Sequence, residues 1–280
     1  MNLEILKRIA RFILSGVPVE YITANVHVSN NPTRLSGKTI LITGGAKGIG
    51  YSISQKCINE GANVIICGRS ESDLIKAQQK LGGSCKYITF DVSNIDEIPE
   101  FINNVFELSS GWIDCLVNNA GISFHETDFR SVTISGFEKQ FNVNFSGAYF
   151  LAKYYIQKVE TVKNRKTANI LFITSERGSF CTDIPYGLSK AAINSLVGAL
   201  STRLYKNSNI RVNALAPGVT VSKMTGRTAV DNMAYDGSPS GRVFMPEEMA
   251  EVAAFLLCDS SACISGEVVH CDAGAHLKCI

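Results

Sequence analysis

Residues 39–50 read Thr-Ile-Leu-Ile-Thr-Gly-Gly-Ala-Lys-Gly-Ile-Gly, an apolar run that passes directly into a glycine-rich turn. From Gly48 to Glu60, the apolar residues have the spacing of a helix. Glycines permit a tight turn and close approach of the backbone to a pyrophosphate, whose negative charge the next helix N-terminus attracts. An ordinary strand-to-helix turn also favours glycine, but four glycines within seven residues indicate a dinucleotide-binding turn.

The rest of the chain alternates short apolar runs with longer helical patterns. Most of these runs lack the polar alternation of a half-exposed strand, as expected for strands that are buried on both faces. Strand and helix in alternation predict a parallel sheet with right-handed crossovers and helices on both faces. The predicted strands are Thr39–Thr43, Asn63–Cys67, Tyr87–Phe90, Cys115–Val117, Asn169–Thr174, Ile210–Leu215 and Glu267–Cys271. The predicted helices are Gly48–Glu60, Ser72–Leu81, Ile95–Leu108, Ser135–Val159, Gly187–Tyr205 and Pro246–Leu257.

Composition and charge fit one compact α/β domain. The chain has 280 residues, 45% of them hydrophobic, and a formal net charge of +2. The sequence has no basic stripe interleaved with aromatic residues, so no nucleic-acid partner is expected. The nine cysteines are odd in number and include no Cys-x-x-Cys pair, which predicts neither a disulfide framework nor a metal site. A reducing cytoplasm is the expected location.

Residues 1–34 form an extension that precedes the predicted catalytic domain, residues 35–280. Apolar residues recur at helical spacing in Met1–Leu14, with Lys7, Arg8 and Arg11 between them. This apolar run is too short and too interrupted for a membrane span or a signal peptide. An amphipathic helix here can lie on an anionic membrane surface, or pack on the domain or on a partner subunit. We favour packing on protein, because amphipathic helices usually face a protein core.

A series of motifs follows the glycine turn in a fixed order. They are Asp91-Val92, Asn118-Asn119-Ala120-Gly121, Asn144, Ser175, Tyr186-Gly-Leu-Ser-Lys190 and Pro217-Gly218-Val219-Thr220. Together with the turn they resemble the compact branch of the short-chain dehydrogenase/reductase family, with its Thr-Gly-x-x-x-Gly-x-Gly and Tyr-x-x-x-Lys motifs. The resemblance spans residues 35–274, and the general likeness is to 3-oxoacyl-(acyl-carrier-protein) reductases.

The resemblance implies a fold and a set of cofactor contacts. The fold is a single Rossmann-type domain, with a doubly wound parallel sheet of about seven strands. Asp91 and Val92 are expected to flank the adenine, and Thr220 to meet the nicotinamide amide. Asp91 also suits a helix cap at the end of its strand. The expected cofactor-binding residues are Thr43, Gly44, Lys47, Gly48, Ile49, Gly50, Arg69, Asp91, Val92, Asn119, Ala120, Gly121, Tyr186, Lys190, Pro217, Gly218, Val219 and Thr220.

The charges near the second predicted strand favour NADP(H) over NAD(H). A site for NAD places a carboxylate about 20 residues past the glycines, whereas the 2′-phosphate of NADP requires cations. The second strand is followed by Arg69, and no acidic residue lies between Glu60 and Glu71. Lys47, inside the glycine turn, can reach the same phosphate. A lone surface cation is usually just solvated, but an arginine fork and a lysine together suit a phosphate.

Tyr186 and Lys190 are four residues apart on a predicted helix and therefore share one face. A free phenol has a pKa of about 10, and a nearby ammonium in a partly dehydrated cleft lowers it. The resemblance implies that Tyr186 exchanges a proton with the substrate oxygen, to which Ser175 donates a hydrogen bond. It also implies that Lys190 anchors the ribose. Asn144 is expected to position a water that connects Lys190 to solvent, with Asn142 as a competing candidate.

The interval between Ser175 and Tyr186 departs from the family pattern. It is 11 positions here, against about a dozen or slightly more in the family. Thr174 is therefore an alternative to Ser175, although Gly178, three residues after Ser175, matches the family better. We expect the shortening to fall in Ser179–Pro185, a segment that would line the substrate pocket.

The predicted activity is the interconversion of a carbonyl and a secondary alcohol by hydride transfer. Loops at Ser123–Arg130, Ser179–Pro185 and Val221–Gly241 are expected to select a small-molecule substrate. A 3-oxoacyl thioester is the substrate class that the resemblance suggests, while sugar, polyol and steroid alcohols stay open. The alternative is a protein of this fold that has lost catalysis and serves as a cofactor-binding regulator or scaffold. The intact set of catalytic residues favours the enzyme.

The resemblance also implies self-association. Related enzymes pair through two long helices, here Ser135–Val159 and Gly187–Tyr205, which predicts a homodimer or a homotetramer. The first helix carries an apolar stripe that a second copy would cover, although the stripe could instead pack on the sheet of its own subunit. The stripe consists of Phe137, Phe141, Phe145, Ala148 and Ala152.

Overall fold

The structure is a computed structural model that describes residues 6–7, 10, 13–14, 21–24, 26, 28–29, 31–162, 167–228 and 232–277. Most of the helix predicted for Met1–Leu14 lies outside these residues. Within the described ranges, no helix is long and apolar enough to cross a membrane. No cluster of three or more metal-ligating side chains occurs there either, and the eight cysteines in these ranges are free thiols.

Seven strands form one parallel sheet, as the sequence predicts. They are β1 (Thr39–Thr43), β2 (Asn63–Gly68), β3 (Cys85–Thr89), β4 (Cys115–Asn118), β5 (Ala168–Ile173), β6 (Ile210–Pro217) and β7 (Val268–Cys271). Their order across the sheet is β3-β2-β1-β4-β5-β6-β7, and every neighbouring pair is parallel. β1 has the predicted bounds, and the ends of the other strands differ from the predicted ones by two residues at most.

Helices cover both faces of the sheet, which confirms the doubly wound architecture. They are α1 (Gly48–Asn59), α2 (Glu71–Leu81), α3 (Ile98–Leu108), α4 (Ile134–Phe141), α5 (Ala148–Thr161), α6 (Pro185–Ser208) and α7 (Pro246–Leu257). Side chains from α1, α2 and α7 form the core on one face, and side chains from α3, α5 and α6 form the core on the other. Successive residues of β1 alternate between these two cores, with Leu41 in one and Ile40 and Ile42 in the other.

The helix predicted for Ser135–Val159 is present, but it is not α-helical along its whole length. A π-helical turn at Asn142–Gly147 separates α4 from α5. Gly147 lies so close to the loop after β3 that a Cβ there would come within 2.5 Å of the carbonyl oxygen of Val92. A π turn takes up an extra residue within a helix and occurs frequently at functional sites.

The sheet has a switch point between β1 and β4. From β1 the chain proceeds through β2 to β3 at one edge, and from β4 it proceeds through β5 and β6 to β7 at the other. In such sheets, ligands bind in the crevice outside the carboxyl ends of the strands at the switch point. The glycine turn after β1 and the loops after β4, β5 and β6 all begin at this edge.

Candidate active site

A cleft of about 1340 Å³ lies at the carboxyl ends of β1, β4, β5 and β6. It contains most of the residues that the sequence predicts for the site. The predicted residues in its wall are Gly44, Lys47, Gly48, Ile49, Gly50, Asn119, Ala120, Gly121, Ser175, Tyr186, Lys190, Pro217, Gly218, Val219 and Thr220. The predicted residues outside its wall are Thr43, Arg69, Asp91, Val92 and Asn144.

The glycine turn shapes one end of the cleft. Gly44 has a φ of +65°, a conformation in which other residues are strained. Gly50 has no room for a side chain, since a Cβ there would lie 2.4 Å from the carbonyl oxygen of Gly44. The first residue of α1 is Gly48, and its N-cap residue, Lys47, makes no side-chain hydrogen bond to the helix. The backbone donors at this end of α1 and the helix dipole therefore suit a pyrophosphate.

Thr43 lies behind the turn rather than in the cleft. Its hydroxyl oxygen accepts hydrogen bonds from the backbone N–H groups of Asn119, at 2.9 Å, and Ala120, at 3.0 Å. The side-chain amide of Asn119 donates in return to the carbonyl oxygen of Thr43, at 2.9 Å. These bonds join the turn after β1 to the loop after β4, so the predicted contribution of Thr43 to the site is indirect.

Of the two cations expected at the 2′-phosphate, only Lys47 lines the cleft. It forms an ion pair with Asp73, and its hydrogen bond holds the pKa of that carboxyl below the usual value. Arg69 is largely exposed outside the wall, and its guanidinium lies 3.9 Å from the carboxylate of Asp91. Asp91 also accepts hydrogen bonds from the N–H group of Ser93, at 3.0 Å, and from its hydroxyl, at 2.7 Å.

The loop after β6 closes the cleft on the opposite side. Thr220 is buried there, and its hydroxyl donates to the carbonyl oxygen of Gly218 at 2.9 Å. The carbonyl oxygen of Val219 accepts from the N–H group of Phe244 at 2.8 Å. This bond joins the two ends of the segment that contains the predicted substrate loop.

Tyr186 and Lys190 lie in the first two turns of α6 and line the cleft. Nζ of Lys190 donates to the carbonyl oxygen of Ile173, the last residue of β5, at 2.9 Å. It lies 5.8 Å from the centre of the Tyr186 ring. Burial lowers the pKa of Lys190 to about 8, because the charged ammonium loses its hydration.

Ser175 lies beside Tyr186 despite the short interval between them. Its hydroxyl oxygen accepts a hydrogen bond from the N–H group of Arg177 at 3.2 Å, which leaves its own proton for another acceptor. Burial raises the pKa of Tyr186, while a hydrogen bond with Ser175 and the charge of Arg177 lower it. Thr174, the alternative to Ser175, directs its hydroxyl to the carbonyl oxygen of Leu215 in β6, at 3.4 Å.

Asn144 is buried in the π turn, whereas the competing Asn142 is exposed. The amide of Asn144 pairs with the backbone of Ile122: it accepts from the N–H group at 2.8 Å and donates to the carbonyl oxygen at 2.9 Å. A Cβ on Gly121 would lie 3.4 Å from Oδ1 of Asn144 and 3.6 Å from Nζ of Lys190. Both side chains therefore border Gly121, and a larger residue there would lie between them.

Several residues of the cleft wall were not predicted from the sequence. Arg177 lines the cleft with its guanidinium 5.7 Å from the centre of the Phe180 ring. Lys76 and Lys80 of α2 add two cations to the same wall as Lys47. Their four-residue spacing places them on one helix face, so this pair could have been found from the sequence. The position of Arg177 depends on the short turn after Ser175, which has no such periodic signal.

Comparisons with known proteins show which family and which enzymes the chain is similar to. The sequence profile of the family described as enoyl-(acyl carrier protein) reductase matches residues 44–276. A 3-oxoacyl-(acyl-carrier-protein) reductase of Chlamydia trachomatis is 34% identical over 247 residues, which cover 86% of this chain and 98% of that protein. The rhamnolipids biosynthesis 3-oxoacyl-(acyl-carrier-protein) reductase of Pseudomonas aeruginosa is 32% identical over 253 residues, covering 87% and 98%.

Solved structures share the fold. The 3-ketoacyl-(acyl-carrier-protein) reductase from Brucella melitensis, in complex with NADH, has a TM-score of 0.79 at 26% identity, over 86% of this chain and 99% of that one. A putative gluconate dehydrogenase from Agrobacterium tumefaciens has a TM-score of 0.80 at 23% identity, over 90% and 100%. At the lower identity the likeness concerns the fold alone.

The buried amine of Lys190 gives a prediction about stability. Its pKa of about 8 in the folded protein is below the usual 10.5, so the unfolded chain binds more protons between these two values. The burial of the charged amine therefore destabilises the fold below pH 8, and this cost disappears as the pH rises towards 10.5. Lys190→Met is expected to unfold at a higher temperature than the wild type below pH 8, with the difference shrinking towards pH 10.5.

Scanning calorimetry at the two ends of this pH range checks the prediction. Lys206→Met is the matched control, because Lys206 lies exposed on the same helix, and no comparable change with pH is expected for it. A stability difference for Lys190→Met that stayed constant with pH would show that the buried charge has no such cost.

Proposed function

The chain belongs to the short-chain dehydrogenase/reductase family and is an oxidoreductase, and from this premise we propose that it interconverts a carbonyl and a secondary alcohol with NADP(H). The grouping of Ser175, Tyr186 and Lys190 in the switch-point cleft carries the proposal. A nicotinamide cofactor bound in the cleft supplies or accepts the hydride at the substrate carbon. The residues of the chain move the proton and stabilise the charge on the oxygen.

Tyr186 donates its proton to the carbonyl oxygen in the direction of reduction, and recovers it in the direction of oxidation. Ser175 donates a hydrogen bond to the same oxygen, since its own oxygen already accepts from the backbone of Arg177. The ammonium of Lys190, 5.8 Å from the phenol ring, stabilises the phenolate. Asn144 is fixed by its two hydrogen bonds to the backbone of Ile122. In this position it would hold the water through which Lys190 exchanges protons with solvent.

We propose 3-oxoacyl thioesters as the substrate class. Two relatives at 34% and 32% identity, matched over 98% of their length, are named as reductases of 3-oxoacyl groups on a carrier protein. The cleft wall also contains apolar surface suited to an acyl chain, from Phe180, Ile184 and Met224.

Tyr186→Phe tests the proton transfer. Loss of the hydroxyl is expected to lower kcat by about a hundredfold or more, the range for loss of a general acid–base group, and to leave the Kd of NADPH nearly unchanged. The measurement is NADPH oxidation with 3-oxoacyl thioesters and with a panel of other carbonyl compounds.

Two results would overturn the proposal. Wild-type turnover by the phenylalanine variant on any accepted substrate would contradict the mechanism. A wild-type protein that binds NADPH and turns over no carbonyl compound would favour the cofactor-binding regulator.

The preference for NADP(H) rests on the charges near the end of β2. Lys47, Lys76 and Lys80 line the cleft, and Arg69 lies beyond its edge. The 2′-phosphate would compete with the carboxylate of Asp73 for the ammonium of Lys47, and the guanidinium of Arg69 would provide a fork of donors. The N-terminus of α1 fits the pyrophosphate of either dinucleotide.

Arg69→Asp is expected to raise the Kd of NADPH by roughly tenfold to a hundredfold, because a like charge replaces a phosphate partner. The Kd of NADH should change far less. Fluorescence titration with both cofactors measures the effect, with Arg203→Asp on the exposed side of α6 as the control. An equal loss of affinity for the two cofactors would mean that Arg69 has only a structural role.

We also propose that the protein assembles through an aromatic ladder on α4, the π turn and α5. Phe137, Phe141, Phe145 and Tyr149 form successive ring contacts, with centroids 4.5, 6.5 and 5.9 Å apart. Phe137 and Tyr149 are each 40% exposed, and exposed aromatic patches of this kind mark interfaces. The same face of a second copy would cover the ladder in a homodimer, alone or as half of a homotetramer.

Tyr149→Asp is expected to dissociate the assembly, because it places a charge at an exposed ring position within the proposed contact. Light scattering at micromolar concentration reports the mass, and Tyr149→Phe, which keeps the ring, should leave it unchanged. A wild-type monomer at this concentration would contradict the interface.

A further inference from the structure

Most of the N-terminal extension of this chain lies outside the regions that match its relatives. The match to the Chlamydia reductase covers 98% of that protein but 86% of this chain, and the family profile begins at residue 44. In the part of the extension nearest the domain, the structure describes residues 21–24, 26, 28–29 and 31–34, which we call the strap. The strap contacts the helices on one face of the sheet at one end and the predicted substrate loop at the other.

A buried ion-pair network anchors the strap at its domain end. The ammonium of Lys56, in α1, donates to the carbonyl oxygen of Ser29 and lies 2.5 Å from Glu251 of α7 and 3.1 Å from Glu60. The N–H group of Ser29 donates to the same Glu251 carboxylate at 3.2 Å. Lys56 is 4% exposed and Glu60 is fully buried, so these charges depend on their partners. Arg34 of the strap completes the network by pairing with Glu60.

At its other end the strap pairs with the substrate loop. The N–H group of Met233 donates to the carbonyl oxygen of Ile22 at 3.2 Å, and the N–H group of Ile22 donates to Oδ1 of Asn232 at 3.1 Å. Met233 in turn accepts from the N–H group of Val243 at 2.9 Å. Ile22 is therefore hydrogen-bonded to the Met233 end of the hairpin that joins Met233 to Val243.

The hairpin carries a residue of the cleft wall. Tyr235 lies two residues beyond Met233, and its N–H group donates to the carbonyl oxygen of Gly241 across the hairpin at 2.8 Å. Its ring lines the cleft and lies 5.5 Å from the guanidinium of Arg227, which lines the cleft as well. A Cβ on Gly241 would lie 3.5 Å from Cδ1 of Ile22, so the isoleucine side chain also packs at the base of this hairpin.

We propose that Ile22 is a positioning residue for substrate binding: the strap holds the Met233–Val243 hairpin so that Tyr235 and Arg227 lie at the substrate end of the cleft. This inference rests on the proposed function, since it assigns the strap to the substrate side of the same site. The cofactor side lies at the glycine turn, and no contact of Ile22 or Met233 reaches it within the described residues. The strap is therefore expected to act on substrate affinity and not on cofactor affinity.

Ile22→Pro in the full-length protein tests this role. Proline removes the N–H group that donates to Asn232, and Ile22→Val is the matched control because it keeps both backbone bonds. We expect Ile22→Pro to raise the KM of the carbonyl substrate roughly threefold to tenfold, as the loss of one or two hydrogen bonds gives, with kcat and the Kd of NADPH little changed. Ile22→Val should match the wild type in all three quantities.

Hydrogen exchange provides a readout that does not require turnover. The amide of Met233 donates to Ile22, so its exchange is expected to be faster in Ile22→Pro than in Ile22→Val. An unchanged KM with unchanged exchange would overturn the proposal. So would faster exchange with an unchanged KM, because the hairpin would then be released without effect on the substrate.

The outcomes separate this inference from the proposed function. A wild-type protein without carbonyl turnover would refute the proposed function, while the exchange of Met233 would still test the strap contact. If Ile22→Pro failed to bind NADPH, Asn232→Ala would decide, because it removes the side-chain oxygen that accepts from the N–H group of Ile22 and leaves the backbone of the strap unchanged. A KM raised by about twofold or more in Asn232→Ala would support the proposal, and a wild-type KM would refute it.

Discussion

The hydroxyl group of Thr43 is the junction on which the rest of the site depends. It is buried between the ends of β1 and β4, accepts two backbone N–H groups, and directs its proton toward the carbonyl oxygen of Val117 at 3.4 Å. A side chain without this oxygen would leave two half-buried N–H donors without an acceptor. The glycine turn and the loop with Gly121 share this junction. Thr43 therefore fixes the pyrophosphate end of the cleft relative to its catalytic end.

The sheet and the turn could be predicted from the sequence because local chemistry specifies them. The four residues of β4 are all buried, so its short apolar run was sufficient to predict a strand that is covered on both faces. The π turn could not be predicted, since the aromatic spacing continues through Asn142–Gly147 and an extra residue leaves no mark in composition. The strap was also beyond sequence reasoning, because its partners Glu251 and Asn232 are 222 and 210 residues away from Ser29 and Ile22.

The same contrast applies to the charged residues of the site. Tyr186 and Lys190 were found because their spacing on one helix is a local property. Arg69 lies outside the cleft wall, 3.9 Å from Asp91 beyond the end of the next strand, and no local sequence pattern predicts such a pairing. The effect of Arg177 on Tyr186 likewise depends on the fold of the short turn after Ser175.

Burial acts against the chemistry of the catalytic pair. It raises the pKa of Tyr186 and lowers that of Lys190, so dehydration favours the neutral form of each side chain. The hydrogen bond from Ser175, the charge of Arg177 and the carbonyl oxygen of Ile173 favour the charged forms instead. The active site thus holds groups in an environment that is costly for folding, a common compromise between stability and activity.

The π turn also affects the phase of the helix on either side of it. In an α-helix each residue advances by about 100°, so side chains four apart drift by about 40° per step. A wider turn removes part of this drift, and the ring contacts from Phe137 to Tyr149 continue along one line. The same turn directs Asn144 inward. Deleting one of its residues would let the segment close as an ordinary α-helix, which would keep α5 nearly in phase with α4 but remove the widened turn that carries Asn144.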